Sequence, residues 1–141
     1  MIAIDTNLLV YAHRAGLPKH DRAKQAIEKA CAGGQGWAIP APCVAEFWAV
    51  VTHPSCAGGP SRAEQARAFL GELTKAGATV LDPRDGFVER LLRLAGALKV
   101  QGPRIFDLQI ALVSLEGGAT EIWTHDRQFV SLRGLRVKDP L

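Results

Sequence analysis

The sequence predicts an α/β fold, a three-layer α/β/α sandwich around a short, mainly parallel central sheet. Short apolar runs alternate with longer stretches of helical apolar spacing. Strands separated by helices imply right-handed crossovers between parallel neighbours. The 141 residues hold no fixed-period repeat, low-complexity tract or linker-like stretch. Residues 1–141 therefore read as one domain, large enough to bury a core without disulfides or a structural metal.

Met1 to Ile4 is a short buried strand, and Asp5-Thr6-Asn7 offers capping side chains to the helix LLVYAHRA, which Leu17-Pro18 ends. A second helix runs from about Lys19 to Ala32, with Ala23, Ala26, Ile27 and Ala30 at helical spacing; Gly33-Gly34 and Gly36 stop it. Trp37-Ala38-Ile39 is the second strand, and Pro40 and Pro42 mark the turn into a helix over Val44 to Val51. After the loop HPSCAGGPS, Ser61 is placed as the cap of a helix reaching about Ala76. Thr79-Val80-Leu81 is the third strand. Asp82-Pro83 opens a helix to about Lys99, with Asp82 and Asp85 as its caps. Gly102-Pro103 opens another, to about Glu116, stopped by Gly117-Gly118. Glu121 to Thr124 is the fourth strand and Leu135 to Val137 a short fifth.

Apolar residues make up 48% of the chain, which argues against disorder. No apolar run approaches the roughly 18–20 residues that span a membrane. The start MIAIDTNLL has neither the basic segment nor the cleavage site of a signal peptide, which predicts a cytoplasmic protein. Cys31, Cys43 and Cys56 lack the paired spacing of a zinc site and read as reduced, small apolar residues. The net charge of +3 comes from 17 basic and 14 acidic residues. If four of the acids share one cleft, 10 remain against 17 bases over the rest of the molecule. A basic surface around an acidic hole suits a nucleic-acid backbone cut at a metal, and an ordinary solvated surface is the plain alternative.

Four acids fall in telling places. Ligands of open parallel sheets sit beyond the carboxyl ends of the strands. Asp5 directly follows the first strand, and Asp126 lies two residues after Thr124. Glu46 and Asp107 lie in the first turns of the helices after the second strand and before the fourth. All four meet if the first strand is central, beside the second and fourth. Glu46 stands among Val44, Phe47, Trp48, Val50 and Val51, in a helix apolar nearly all round and so expected to be buried. A carboxylate there is costly unless a cation pairs with it. Each acid also has a plain structural reading: Glu46 at a fraying first turn, Asp107 paired with Arg104, Asp5 as a helix cap, Asp126 as a turn residue. Crowded carboxylates repel, and a hard divalent ion with oxygen ligands removes that repulsion. Such an ion also makes bound water a better nucleophile for phosphate.

At these residues the chain resembles the PIN-domain nucleases, and among them the VapC toxins of toxin–antitoxin pairs. The matching stretches are IDTNLLVYA, PAPCVAEFWAVVTHP, RIFDLQIALV and WTHDRQFVSLRGLRV, in the family's order and over nearly the whole chain. The resemblance implies metal binding at Asp5 and Asp107, with Glu46 and Asp126 completing the acidic set. It gives Thr6, Asn7 and Thr124 the role of hydrogen bonding to the carboxylates or to the metal's water. It also implies a PIN-like sandwich, Mg²⁺- or Mn²⁺-dependent RNA cleavage, an antitoxin whose tail can cover the site, and a homodimer. Leu108 and Gln109 depart from the small residue many relatives carry after the third acid.

Other features read as structural. Trp37, Trp48 and Trp123 fit core patterns, and His13, His20 and His53 have no partner spacing. His125 stands beside the site in sequence with its side chain read as facing solvent. Arg104 and Arg127 can contact phosphate or pair with the site's carboxylates. The competing functions are a PIN nuclease of RNA processing, a non-catalytic binding module, and a phosphate-accepting receiver-like domain. The last needs an acceptor Asp after a middle strand and a Lys after the last, but Asp82 precedes Pro83 and no Lys lies near Thr124.

Overall fold

The computed structural model describes residues 1–141. Its strands are β1 (Ile2–Ile4), β2 (Trp37–Pro40), β3 (Thr79–Leu81), β4 (Glu121–Trp123) and β5 (Arg136–Lys138). The helices are α1 (Thr6–His13), α2 (His20–Ala32), α3 (Ala41–Val51), α4 (Ala63–Lys75), α5 (Phe87–Ala97) and α6 (Arg104–Glu116). The strands form one sheet in the order β3-β2-β1-β4-β5, with every pairing parallel. Helices cover it in a three-layer α/β/α sandwich, the class expected. No helix is long and apolar enough to cross a membrane.

This order positions the site. The chain builds outward from β1 through β2 to β3, then α5 and α6 carry it back to β4 on the other side of β1. Strand order therefore reverses between β1 and β4, and such a switch point opens a crevice at the carboxyl ends. Ile4 pairs with Trp123, so Asp5 and Thr124 leave the sheet side by side. The backbone N–H of Asp5 donates to the Trp123 carbonyl at 3.0 Å.

The inner strands β2, β1 and β4 are buried along their whole length and mostly apolar because helices cover both faces, while the edge strands β3 and β5 are largely exposed. Ile2, Ile4, Ile39 and Ile122 are buried, packed with Leu8, Leu9, Phe47, Leu108, Ile110 and Val113 from the helices. Phe47 has no exposed surface; its ring stacks on Phe69 at 5.3 Å, and the His13 imidazole meets it edge-on at 5.3 Å. His13 thus has a packing role, and burial lowers its pKa first, then the nearby Arg14 and His20 charges.

Two expected helix starts move. Ser61 does not cap α4: its hydroxyl bonds His13 Nε2 at 2.9 Å and Arg14 Nη1 at 3.2 Å. The N-terminus of α4 is closed at Arg62, whose backbone N–H donates to the Gln65 side chain at 2.8 Å. Asp82-Pro83 does not open α5 either. The chain turns until Gly86, whose φ of +74° is one that residues with a Cβ avoid, and α5 begins at Phe87. Asp82 and Asp85 are therefore not its caps.

The expectation that α3 is buried all round also fails. Cys43, Phe47 and Val51 face the core, while Trp48 and Val50 are 42% and 45% exposed. Trp37 and Trp123 are buried as expected. Of the cysteines only Cys43 is buried; Cys31 is exposed and donates to the Ala76 carbonyl at 3.2 Å.

Phe47 lies one residue from Glu46 and ties α3 to α1 and α4. Phe47→Ala should lower stability by about 3–5 kcal/mol, since its cavity cannot collapse between two packed rings. Urea denaturation followed by circular dichroism checks this; a loss under 1 kcal/mol would show the ring to be dispensable.

Candidate active site

Asp5, Thr6, Asn7, Glu46, Asp107 and Asp126 line one cleft of about 320 Å³, walled also by Val10, Tyr11, Val50 and Ile110. All seven residues singled out from the sequence meet here, because Thr124 lies beneath the carboxylates as their hydrogen-bond hub.

Asp5 is 5% exposed and accepts three hydrogen bonds from N–H and O–H donors, besides a weak one from the Cys43 thiol. Its Oδ1 takes the Thr6 N–H at 2.7 Å, while Oδ2 takes Asn7 Nδ2 and the Thr124 hydroxyl, both at 2.6 Å. Thr124 Oγ1, having donated its one proton to Asp5, accepts from Asn7 Nδ2 at 2.8 Å and from the Asp126 N–H at 3.0 Å. A hydroxyl has one proton and two lone pairs, and all are used. Asn7 is equally committed: both amide protons are spent, and its Oδ1 accepts the His125 N–H at 3.0 Å. The interlock joins the end of β1, the start of α1 and the loop after β4.

The other acids are held more loosely. Glu46 Oε2 accepts the Thr6 hydroxyl at 2.7 Å, so Thr6 braces Asp5 with its backbone and Glu46 with its side chain. Asp126 Oδ1 caps the Gln128 N–H at 2.8 Å, the turn contact read from the sequence. Asp107 has no ion pair with Arg104, whose Nη2 instead donates to the Gln128 carbonyl at 3.0 Å. That guanidinium still lowers the Asp107 pKa by proximity. His125 is only partly exposed and bonds Asp139 through Nδ1 at 2.9 Å.

The electrostatics follow from burial and crowding. The pKa of Asp107 rises from 3.8 to about 6, first through desolvation, then through the Asp126 and Asp5 charges, with Glu46 adding less. Asp5 also shifts upward: burial outweighs the Thr124 and Thr6 hydrogen bonds, and Glu46 and Asp126 push the same way. The buried Cys43 thiol, 3.8 Å from Asp5 Oδ1, is held neutral well above its ordinary range by burial first and then by Asp5. The acids thus sense one another across the cleft, yet no three His, Cys, Asp or Glu side chains close into a finished metal cage. The shared lining and mutual repulsion identify the cleft as acidic; ligand geometry is not preformed in it.

The sequence reading missed the cleft's walls. Val10 and Tyr11 lie one helical turn past Asn7, Val50 one turn past Glu46, and Ile110 one turn past Asp107. Residues three and four apart share a helix face, so each polar site residue pointed to its own wall.

A parallel sandwich with carboxylates gathered at a switch point defines a class, and the comparisons name it. The profile of the PIN domain matches residues 2–135, and the chain belongs to the PIN-domain family. VapC proteins are among its relatives. Ribonuclease VapC48 of Mycobacterium tuberculosis is 30% identical over 137 residues, 96% of this chain and 94% of its own length. VapC ribonuclease Mb2897 of Mycobacterium bovis is 31% identical over 142 residues, 100% of this chain and 96% of its own. Among solved structures, Mycobacterium tuberculosis VapC20, described as a sarcin-ricin loop cleaving toxin, superposes with a TM-score of 0.69 at 15% identity over 92% of each chain. A chain of Rickettsia felis VapBC2, bound to promoter DNA, gives 0.68 at 19% identity over 98% of each. At these identities the two structures show the shared fold.

A pH dependence follows for the metal-free protein. Asp107, and Asp5 with it, bind a proton more tightly folded than unfolded. Between the ordinary aspartate value of 3.8 and about 6 the folded state holds the extra proton, so stability falls as pH rises through that window. Melting temperatures in chelator from pH 4 to 7 should decline, and Asp107→Asn should flatten the decline. An unchanged slope in that variant would remove Asp107 as its source.

Proposed function

We propose that the chain is a Mg²⁺- or Mn²⁺-dependent ribonuclease, the toxin of a toxin–antitoxin pair, with Asp5, Glu46, Asp107 and Asp126 as the metal-holding and catalytic acids. The observation that carries this reading is the lining of one cleft by these four carboxylates at the switch point of a PIN-domain sheet. Curated relatives named ribonucleases and structural neighbours solved as toxin–antitoxin complexes support RNA as substrate and an antitoxin as partner.

The donor set fits a hard divalent cation. It is all oxygen, the one nearby thiol is held neutral, and Asp107 has its pKa raised first by burial and then by neighbouring charges that a cation would neutralise. When bound, such an ion supplies a more acidic water and stabilises charge building on a phosphate oxygen. The chain's residues do the rest. Thr124, Asn7 and Thr6 fix the Asp5 carboxylate in one orientation. Thr6 turns one oxygen of Glu46 toward itself and leaves the other free to accept a proton from water. Val10, Val50 and Ile110 form the apolar wall that raises the energy of each unpaired charge. A second copy of the chain fits the large apolar side chains left in solvent on α3, α5 and α6, namely Trp48, Val88, Leu92 and Phe106.

Asp5→Asn and Asp107→Asn should each lower Mg²⁺-dependent RNA cleavage by at least about a hundredfold and leave the circular dichroism spectrum intact. Chelator should abolish wild-type cleavage and Mn²⁺ restore it. Expression of the wild type should arrest growth where Asp107→Asn does not. Full Mg²⁺-dependent activity in Asp5→Asn would refute the assignment, and equal growth with both proteins would leave a nuclease that is not a toxin.

Thr124→Ala removes the hub while keeping every carboxylate. It should weaken Mn²⁺ binding about 10–100-fold by calorimetric titration; affinity within twofold of wild type would reduce Thr124 to a packing residue.

A further inference from the structure

A second cavity, of about 290 Å³, lies between α2 and the ends of β4 and β5. Its lining includes Arg22, Gln25 and Lys29 from α2, Lys138 from β5, and the ring of Trp123. Arg22, Gln25, Ala26 and Lys29 follow the three-four spacing of one helix face, the edge of the face that buries Ala23, Ile27 and Ala30. Lys138 Nζ sits 4.8 Å from the Trp123 ring centroid on the same cavity wall. None of these three cations has a carboxylate within ion-pair distance; the protein's five salt bridges involve other cations. The one acid in the lining, Asp139, is already engaged by His125 and by the Leu141 N–H.

This basic hollow neighbours the acidic cleft across a thin wall of side chains. Lys138 and Trp123 end β5 and β4, and β4 is hydrogen-bonded to β1, so the hollow opens on the sheet edge that carries Asp5. The wall between the two is Tyr11 of the cleft, the His125 ring 6.1 Å from it, and Asp139 of the hollow bonded to that His. Lys19 Nζ lies over the Tyr11 ring at 5.7 Å and adds a cation at the junction. The end of β5 is two strand spacings from that of β1, roughly 10 Å. Arg22 and Lys29 are about 10 Å apart along α2.

We infer that Arg22, Lys29 and Lys138 form a phosphate-binding lane that holds the RNA strand on one side of the scissile bond; this rests on the ribonuclease reading above. Two unpaired cations roughly 10 Å apart along α2, with Lys138 as a third in the same hollow, match a run of backbone phosphates better than one small anion. The lining offers Ala26, Trp123 and Pro140 as its apolar contribution, with no deep pocket for the anchors of an amphipathic helix, so nucleic acid is favoured over an antitoxin segment. The lane carries no base-reading geometry, so its effect falls on affinity and on how the strand enters the cleft.

The test combines Arg22→Gln, Lys29→Gln and Lys138→Gln in the full chain. A control of equal charge change replaces Lys24, Arg67 and Arg133, which lie outside the hollow. Binding of a fluorescent single-stranded RNA of about twenty nucleotides is read by anisotropy in chelator across a salt series; the lane variant should bind about tenfold more weakly, with the log–log salt slope reduced by about 2. The control should move less than threefold. With Mg²⁺ present, KM for that RNA should rise in the lane variant while kcat, and cleavage of a trinucleotide, stay within twofold. Equal loss in lane and control variants, an unchanged salt slope, or binding of an acidic peptide but not RNA to the hollow would overturn the inference. If the triple variant misfolds, Lys29→Gln alone should reduce the slope by about 0.7. Wild-type protein that binds RNA through the lane without cutting it would sink the ribonuclease reading alone; cleavage indifferent to the lane would sink the lane alone.

Discussion

The structure turns on a buried carboxylate at the end of the first strand. Asp5 is nearly sealed from water, and an ionised group in that position costs several kcal/mol unless hydrogen bonds replace its hydration. Three N–H and O–H donors do so, and each comes from a place the fold must supply. Thr6 and Asn7 belong to the first turn of α1, and Thr124 follows β4. The Thr124 bond spans 119 residues of sequence and exists only if β4 returns beside β1. The parallel pairing and the site are thus one constraint: strand order brings the hydroxyl, and the hydroxyl makes the charge tolerable. Charge-assisted hydrogen bonds to carboxylate are among the stronger ones, so this contact also fastens the two halves of the sheet at their switch point.

The four acids divide by how firmly they are held. Asp5 is fixed by neighbours that have no spare hydrogen-bonding capacity. Glu46 is braced on one oxygen, Asp126 sits in an exposed turn, and Asp107 has no hydrogen bond to its charged form among the causes of its raised pKa. A rigid anchor with adjustable partners explains how the carboxylates can line one cleft and influence one another without closing into a finished cage. Mg²⁺ keeps several of its waters when bound by protein, so only one or two of the carboxylates need to reach it directly. The accompanying cost is local instability of the bare site, the usual exchange of stability for function.

Much of this arrangement was legible in the chain, and the misses have physical causes. Acids directly after strands or in first helical turns can point to only one sheet edge, so the gathering of Asp5, Glu46, Asp107 and Asp126 followed from placement once β1 was taken as central. That strand order was the unproved step, because crossover length alone does not say on which side of β1 the chain returns. Ser61 and Asp82 looked like caps by residue type, yet a capping side chain is useful only where the helix starts. Gly86 postponed one start, and Ser61 was drawn to His13 and Arg14. The α3 helix was misjudged because an all-apolar helix can be buried by the core or by another molecule, and periodicity does not separate the two. Tyr11 and Ile110 were missed as walls although helical spacing from Asn7 and Asp107 pointed to them.

The placement of charge follows from the same topology. Acids at the carboxyl ends of β1 and β4 and bases around the end of β5 lie on one edge, only strand spacings apart. Left adjacent, they would neutralise one another: a lysine reaching Asp126 or Asp107 would take the place of a cation. The residues between them prevent that. Tyr11 and His125 stand in the gap, and Asp139 occupies His125 from the basic side, so its carboxylate is unavailable to Lys138. Arg104, the cation that acts on Asp107, donates instead to the Gln128 carbonyl and moderates the acid's pKa without bridging it. The acids consequently stay unpaired, and unpaired acids in a half-buried cleft are what a divalent cation can satisfy better than any side chain the protein places nearby.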